Sequence, residues 1–330
     1  MKSNNDSNND DLINYYNFNE DGTCISIGTK IGFKIVTCNP FTNFHYTKFG
    51  RGIGIIELYH SSNIITLSGS EKNSQFPLNE LIIWDDNKGE IIKEMRISSK
   101  IRIIKIIKNI LFIVNDLKVF ILNFENLSLI NSFELYSNKS ELISFSVNKT
   151  KKIAYVNKKR NKIFIEDIDF KKQIKIKNDN YDLAYIYLQF NSKGDVIAGA
   201  MDGKICLYKT SNGDLIREIN NNNLQNKIIN CMDFSENDKL LAVSTIENNS
   251  GLISIFDIET EKESSFFDYF INSEDKCFAY YNISCKGFKF RIFKNDCILI
   301  VTSNGEFFKI NINTKDGGNC KNVEHKKIFN

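Results

Sequence analysis

Histidines and carboxylates are the side chains of this sequence that could support acid–base or metal chemistry. The three histidines, His45, His60 and His325, lie far apart, and none is spaced from a cysteine or a carboxylate as metal ligands usually are. Asp85 and Asp86 are adjacent in an apolar run typical of a strand, so their side chains point to opposite faces. These residues predict neither a metal site nor a catalytic carboxylate pair. We therefore expect a protein that is not an enzyme and needs no cofactor.

Phosphate-loop and nucleic-acid chemistry are also excluded by the residues. The segment Gly50–Gly54 (GRGIG) is glycine-rich, but no helix pattern follows it and no Lys-Ser/Thr pair is present. The net charge is only +3, from 43 basic and 40 acidic residues, which gives no field for a nucleic acid. We expect no nucleic-acid partner.

The cysteines and the amino-terminal segment bear on the cellular compartment. The eight cysteines are scattered singly, without a Cys-x-x-Cys pair, and several lie in apolar strand patterns. Residues 1–11 are polar, with no secretory signal, and no run approaches the ~18 apolar residues of a membrane helix. The sequence thus predicts buried, reduced thiols, a disordered tail over residues 1–11 and a cytoplasmic monomer.

The elements that would position a functional site in this chain are short β-strands. From about Leu12, runs rich in Ile, Val, Phe and Tyr alternate with Asn, Asp and Gly turns, and long amphipathic helices are absent. Grouped by fours, the strands repeat every forty to fifty residues or so, which is the period of propeller blades. The predicted blades begin and end near the following residues: Leu12 and Phe49, Gly54 and Ile97, Lys100 and Leu135, Leu142 and Lys177, Leu183 and Asn220, Ile228 and Ile283, Lys286 and Phe329.

This repeat predicts an all-β fold: a seven-bladed, WD-repeat-type β-propeller with four antiparallel strands per blade, forming one domain over residues 12–330. The third strand of several blades ends in an aromatic–polar pair, as in LIIWDD and LISIFD, where WD repeats carry Trp-Asp. A pair of β-sandwiches is the alternative, but it would need a domain break, and no linker is visible.

Three segments carry more specific motifs. Asn14–Phe41 contains FNEDGTC, ISIGT, GFKI and NPF, Phe49–Asp86 contains GIGIIEL and IIWDD, and Gly317–Cys320 reads GGNC after GEFFKIN. With these motifs the chain resembles the PROPPIN family, the WIPI-type phosphoinositide-binding propellers of autophagy, from about Asn14 to Lys327. The IWDD form is closest to the branch of WIPI-three and WIPI-four.

The resemblance implies a phosphoinositide site in blades five and six. PROPPINs hold two headgroups beside a Phe/Leu-Arg-Arg-Gly motif after the last strand of blade five, and here that position reads Ile219, Asn220, Asn221, Asn222. A hydrogen bond to a charged group contributes roughly 1.5–3 kcal/mol, so loss of both arginines would weaken binding on the order of 10²- to 10⁴-fold. The family motif is therefore degenerate in this chain.

Other positions of the implied site follow from the same resemblance. Ser244 and Thr245 match a hydroxyl pair of the family, although ordinary strand-end capping is the interpretation that we favour for both. Lys204 and Arg217 are nearby cations that could compensate for the missing arginines. Ser254 stands where the family has a histidine. The basic run 151–162 lies in blade four, away from the implied site, and reads as a charged hairpin or as a membrane or partner surface.

The connection Glu259–Lys276 in blade six corresponds to a loop that PROPPINs use as a membrane wedge. Its aromatic residues, Phe266, Phe267, Tyr269 and Phe270, suit a membrane interface. Six acidic residues against two lysines oppose insertion into an anionic surface, so a loop folded back onto the propeller is the alternative.

The sequence leaves two functions open. The resemblance implies a scaffold of autophagy or endosomal membrane traffic that recognises phosphatidylinositol 3-phosphate or 3,5-bisphosphate on endosomal, vacuolar or autophagosomal membranes. It would recruit an autophagy lipid-transfer protein, or another protein partner, through a blade-two loop that includes Ser70, Pro77 and Leu78. The alternative is a degenerate propeller that binds only proteins. The changed motif suits this alternative, but phosphoinositide recognition stays the leading hypothesis from the sequence.

Overall fold

Alternating β-branched and aromatic residues, interrupted by Asn, Asp and Gly turns, fold into strands along the whole described chain. The computed structural model describes residues 13–50, 52–60, 62–71, 76–135, 142–147, 151–177, 184–259 and 275–329. Apart from one short 3₁₀ helix, η1 (Asn222–Leu224), every regular element in these ranges is a β-strand. Inner strands such as Ile110–Asn115 are buried along their whole length, whereas outermost strands such as Leu129–Glu134 are mostly exposed.

One compact unit contains blades one to three, with Ser303–Phe307 and the last residues of the chain. Its three sheets have the antiparallel orders β1-β2-β3-β4, β5-β6-β7-β8 and β9-β10-β11-β12. The strands are β1 (Ile13–Phe18), β2 (Cys24–Thr29), β3 (Gly32–Cys38), β4 (Phe41–Lys48), β5 (Ile53–Leu58), β6 (Ile64–Gly69), β7 (Glu80–Asp85), β8 (Glu90–Arg96), β9 (Ile101–Ile107), β10 (Ile110–Asn115), β11 (Lys118–Asn123) and β12 (Leu129–Glu134).

The second compact unit contains blades four to six and most of blade seven. Each sheet again takes its strands in chain order, and blade six gains a short parallel strand, β28. The strands are β13 (Ile143–Val147), β14 (Lys151–Val156), β15 (Lys162–Asp167), β16 (Lys172–Lys177), β17 (Tyr187–Phe190), β18 (Val196–Met201), β19 (Lys204–Lys209), β20 (Leu215–Asn220), β21 (Ile228–Phe234), β22 (Leu240–Glu247), β23 (Ser250–Asp257), β24 (Ala279–Ile283), β25 (Phe288–Phe293), β26 (Cys297–Thr302), β27 (Glu306–Asn311), β28 (Gly318–Asn319) and β29 (Lys321–Lys327).

Seven antiparallel sheets of this kind are the blades of a seven-bladed β-propeller, and the predicted fold class is confirmed. The core lies between neighbouring blades rather than within one. In the first unit Leu81 and Ile83 of blade two pack with Leu111 and Ile113 of blade three. In the second, Ile165 of blade four belongs to the cluster that contains blade-five side chains. Blades two and three, and likewise blades four and five, therefore bury their apolar faces against each other.

The GGNC motif has a clear structural reason. Gly317 and Gly318 have φ values of +66° and +82°, and they bring β28 alongside β24 of blade six. A Cβ on Gly317 would lie 2.1 Å from the carbonyl oxygen of Phe278, so no larger residue fits there without a shift. The following Cys320 is buried among blade-six and blade-seven residues, and its N–H bonds to Tyr280 O at 2.8 Å. The motif thus fastens blade seven to blade six.

The prediction of a single domain over residues 12–330 stays a prediction, and the polar segment 1–11 lies outside the described residues. A search of the described helices found none with the length and apolar character needed to cross a membrane.

Candidate ligand site in blades five and six

The degenerate motif follows strand β20, which Asn220 ends. Ile219 is fully buried and pairs with Ile205 of β19, so it serves the core between blades five and six. Asn220 is exposed, but its backbone N–H donates to Asp275 Oδ2 at 3.0 Å, and its carbonyl accepts the N–H of Asp275 at 2.7 Å. The end of β20 is thereby joined to the end of the long blade-six connection.

Asn221 is a structural residue in this arrangement. Its side chain is 3% exposed, and its Nδ2 donates to the carbonyl oxygen of Asp275 at 2.6 Å. Its Oδ1 accepts the N–H of Asn223, which caps helix η1, and its own N–H bonds to Gly203 O at 3.1 Å. An arginine at this position would have to displace these buried contacts. Asn222 begins η1 and is exposed.

The electrostatics at this position are set by a carboxylate of the chain itself. Asp275 is 5% exposed, and its Oδ1 lies 3.8 Å from Nη2 of Arg217. Nη1 of Arg217 donates to the carbonyl oxygen of Asp257 at 3.0 Å. A negative charge therefore already stands beside the backbone N–H and the guanidinium that an incoming phosphate would use.

Lys204, the other nearby cation, is also paired. Its Nζ lies 2.6 Å from Glu218 Oε1, across the β19–β20 ladder. Cys206 occupies the next position on the same face, and its Sγ is 3.8 Å from the same carboxylate oxygen. Burial raises the pKa of Cys206 to about 11, so this thiol is neutral near pH 7. Blade five presents charge pairs here, which weakens its attraction for an anion.

The serine and threonine of the predicted site point into the sheet. Ser244 is fully buried, and its Oγ donates to the carbonyl oxygen of Cys231 at 3.3 Å, while Thr245 is 2% exposed. Ser254, on the neighbouring strand β23, is also buried, and its Oγ has no hydrogen-bond partner in the described part of the chain. These hydroxyls are placed for sheet packing rather than for contact with a ligand at the surface.

The two predicted loops are described to different extents. The aromatic residues proposed as a membrane wedge, Phe266, Phe267, Tyr269 and Phe270, lie outside the described residues. In the blade-two loop, Ser70 and Leu78 are half-buried and Pro77 is exposed. The carbonyl oxygen of Leu78 accepts the N–H of Ile101 at 2.8 Å, which fastens this end of the loop to the start of blade three.

One contact between chemically active side chains was missed from the sequence. His45 Nε2 lies 3.1 Å from Asp86 Oδ2 and 2.6 Å from Thr47 Oγ1, and Asp86 also accepts bonds from Thr47 and Trp84. Only the alternation of β4, which puts residues 45 and 47 on one face, could have suggested it. Hydroxyl and carboxylate both meet the same imidazole nitrogen, which differs from a catalytic triad, where they meet opposite nitrogens. The cluster links blades one and two.

Known proteins provide the remaining context. A sequence model of the family "Eukaryotic translation initiation factor eIF2A" matches residues 135–274, less than half of the chain. Autophagy-related protein 18 of Candida glabrata is 29% identical over 261 residues, which is 75% of this chain but only 46% of that relative.

Two solved structures share the fold. Hsv2 of Kluyveromyces marxianus superimposes with a TM-score of 0.78 at 15% identity, covering 97% of this chain and 100% of that one. The structure "Complex of KlAtg21 with coiled-coil of AgAtg16" gives a TM-score of 0.77 at 17% identity, covering 96% of this chain and 99% of that one.

The fold and the strand-end contacts define a WD-type β-propeller, and the part of the chain that the structure describes contains no cluster of metal-ligating side chains. The predicted resemblance is confirmed, because the sequence relatives are Atg18 and SVP1-like proteins and the solved propellers are Hsv2 and Atg21. This chain is a β-propeller that resembles the PROPPIN propellers. Its closeness to the WIPI-three and WIPI-four branch stays a prediction.

Proposed function

We propose that this chain is a scaffold of autophagy or endosomal membrane traffic that acts through protein partners, and that its degenerate motif no longer serves as a phosphoinositide site. The observation that carries the second half is the carboxylate of Asp275, which accepts the N–H of Asn220 and faces Arg217. The first half is supported by the Atg18 relatives and by the Atg21 propeller, whose structure was solved with a coiled coil.

The second candidate is recognition of phosphatidylinositol 3-phosphate or 3,5-bisphosphate at the motif. Arg217 and Lys204 favour it, because they place two cations at the end of blade five. Their carboxylate partners oppose it, since a phosphate would have to displace Glu218 and Asp275 before it could use either charge. The first candidate therefore fits the geometry better.

Liposome flotation with and without phosphatidylinositol 3-phosphate, at low salt, tests the motif directly. We expect Lys204→Gln to leave flotation unchanged, and Asn220→Arg alone to add nothing, because Asp275 would pair with the new guanidinium. The double variant Asn220→Arg/Asp275→Asn should float more strongly with the phosphoinositide than the unmodified chain does. Loss of lipid-dependent flotation in Lys204→Gln would instead establish the second candidate.

The blade-two loop is proposed as the partner surface. Glu71 in this loop is exposed and pairs with Lys100, so Glu71→Lys reverses its charge at small cost in stability. We expect this variant to lose capture of an autophagy lipid-transfer protein in a pull-down. Glu90→Lys is the matched control, because Glu90 is also exposed, lies in blade two and pairs with a lysine, Lys88. Equal capture by both variants would place the partner surface elsewhere.

A further inference from the structure

A cleft in blade four is lined mainly by lysines. Its volume is about 480 Å³, and its walls are Asn157, Lys158, Lys159, Asn161, Lys162, Phe164 and Lys175. Four of these seven side chains carry a positive charge and none carries a negative one. In the described part of the chain, none of the four lysines forms an ion pair with a carboxylate. We call this feature the blade-four lysine cleft.

The basic run 151–162, which contributes three of these lysines, is divided by the fold. Lys151 pairs with Asp169 at 2.9 Å, and Lys152 points toward blade five, where its Nζ donates to Gly194 O and to Thr210 Oγ1. Burial lowers the pKa of Lys152. The cleft lysines, in contrast, have no carboxylate partner like that of Lys151 among the described residues. Their positive charge therefore remains available for a ligand.

The turn that carries the cleft is held rigid by one asparagine. Asn157 Oδ1 accepts the N–H groups of Asn161 and Lys162 at 3.0 and 3.1 Å, and Asn157 Nδ2 donates to Asn161 Oδ1 at 2.9 Å. The backbone adds a bond from Arg160 N to Asn157 O at 2.8 Å. Lys158 and Lys159 therefore project from a fixed turn and Lys162 from the start of β15, so the backbone has little order to gain on binding.

An aromatic ring forms one wall of the cleft. Phe164 lies directly opposite Lys175 in the β15–β16 ladder, and Nζ of Lys175 is 5.8 Å from its ring centroid. The Tyr155 ring stacks on Phe164 at 5.5 Å, and its hydroxyl is 2.9 Å from Glu166 Oε1, which also binds Gln173. Glu166, beside this wall, is thus engaged by neutral groups, and the half-buried Phe164 ring offers an apolar face to the cleft.

The cleft and the degenerate motif lie at the same ends of the strands in adjacent blades. The cleft turn joins the second and third strands of blade four, and Asn220 pairs with Lys204, which follows the equivalent turn of blade five. Arg160 O in the cleft turn accepts the N–H of Tyr185 just before blade five begins. The two positions therefore lie on the same side of neighbouring blades.

We propose that the blade-four lysine cleft binds a phosphorylated polyol, with the phosphates on the lysines and one face of the ring on Phe164. Lysine binds phosphate as a point charge, and a cluster of four favours a ligand with several phosphates. The cleft volume is in the range of small-ligand sites. A lipid headgroup and a free inositol phosphate share this chemistry. The proposal does not depend on the protein partners proposed above.

Titration of the full chain with inositol hexakisphosphate, followed by calorimetry, tests the soluble source of the ligand. We expect saturable binding that weakens as salt is added, and about a hundredfold loss of affinity in Lys158→Glu/Lys159→Glu. The control is Lys171→Glu/Lys172→Glu, which changes the net charge equally at the opposite end of the β15–β16 hairpin, away from the cleft. Equal affinities of the two double variants would overturn the proposal.

Vesicle flotation tests the lipid source. Vesicles of phosphatidylcholine with a phosphatidylinositol phosphate are compared with vesicles that carry phosphatidylserine at the same surface charge. Stronger flotation with the phosphorylated lipid would support a headgroup ligand if Lys158→Glu/Lys159→Glu abolishes it. Binding of the soluble inositol phosphate without such flotation would support a free polyol. Equal flotation on both vesicles, or equal binding of polyglutamate in place of the inositol phosphate, would overturn the proposal because it would show attraction to any polyanion.

Discussion

At the candidate site, the residues at the motif positions form contacts within the protein and supply no positive charge for a ligand. The asparagines at positions 220 and 221 are visible in the sequence as a loss of positive charge. Asp275, which joins both of them, is 55 residues from Asn220 along the chain. The sequence indicated that the site lacks the two motif arginines. That Asp275 contacts both asparagines became evident only from the structure.

Ser244 and Ser254 provide a matched pair for stability at the residue scale. Both are buried in blade six, but only Ser244 has its hydroxyl bonded within the described chain. An unsatisfied buried hydroxyl costs about 1–3 kcal/mol, so Ser254→Ala should leave the free energy of unfolding unchanged or raise it. Ser244→Ala should lower it by about 1 kcal/mol. Urea unfolding measures both, and a loss in Ser254→Ala equal to that in Ser244→Ala would refute the assignment.

Among the elements, the hairpin of blade four shows how packing sorts a run of like charges. The sequence predicts a charged hairpin over residues 151–162, and strands β14 and β15 form it. Alternation along β14 sends Lys151 and Lys152 in opposite directions, while the turn carries Lys158 and Lys159 to the cleft. The contacts of each lysine, including those with the neighbouring blade, decide whether it remains available for a ligand. The cleft could therefore not be predicted from the basic run 151–162 alone.

Strand β28 allows a test of the contact between blades six and seven. Gly317 and Gly318 both have positive φ, but only a Cβ at 317 would collide with Phe278 O; at 318 nothing lies within 4 Å. We expect Gly318→Ala to cost about 1–2 kcal/mol of stability, from backbone strain alone. Gly317→Ala should cost clearly more and should expose the buried Cys320 to alkylation. Equal melting temperatures for the two variants would mean that β28 does not hold this contact.

At the scale of the whole molecule, the propeller keeps its thiols in reduced and protected form. All eight cysteines carry thiols rather than disulfides, six of them buried and two half-buried. Burial raises the pKa of Cys206, Cys231, Cys297 and Cys320 to about 11, which leaves little thiolate near pH 7.

Thiol alkylation therefore reports on the integrity of the fold. At pH 7 we expect slow modification of the native chain and rapid modification of all eight cysteines after unfolding, as counted by mass spectrometry. A reducing agent should not change the melting temperature. Rapid labelling of the native protein, or a lower melting temperature after reduction, would contradict the reduced and protected state of these thiols.

The sequence by itself determined the strands, the number of blades, the PROPPIN resemblance and the loss of the motif arginines. These follow from local alternation, from turn residues and from the chemical identity of single side chains, all of which are read along the chain. Only the tertiary structure decided that Asp275 occupies the motif position, that His45 meets Asp86 and that four lysines converge in blade four. The first two contacts join segments far apart in sequence, and their approach is set by the packing of sheets that no local pattern encodes. The lysines are closer along the chain, and they converge because the pairing of β15 with β16 brings Lys175 beside the turn that carries Lys158 and Lys159.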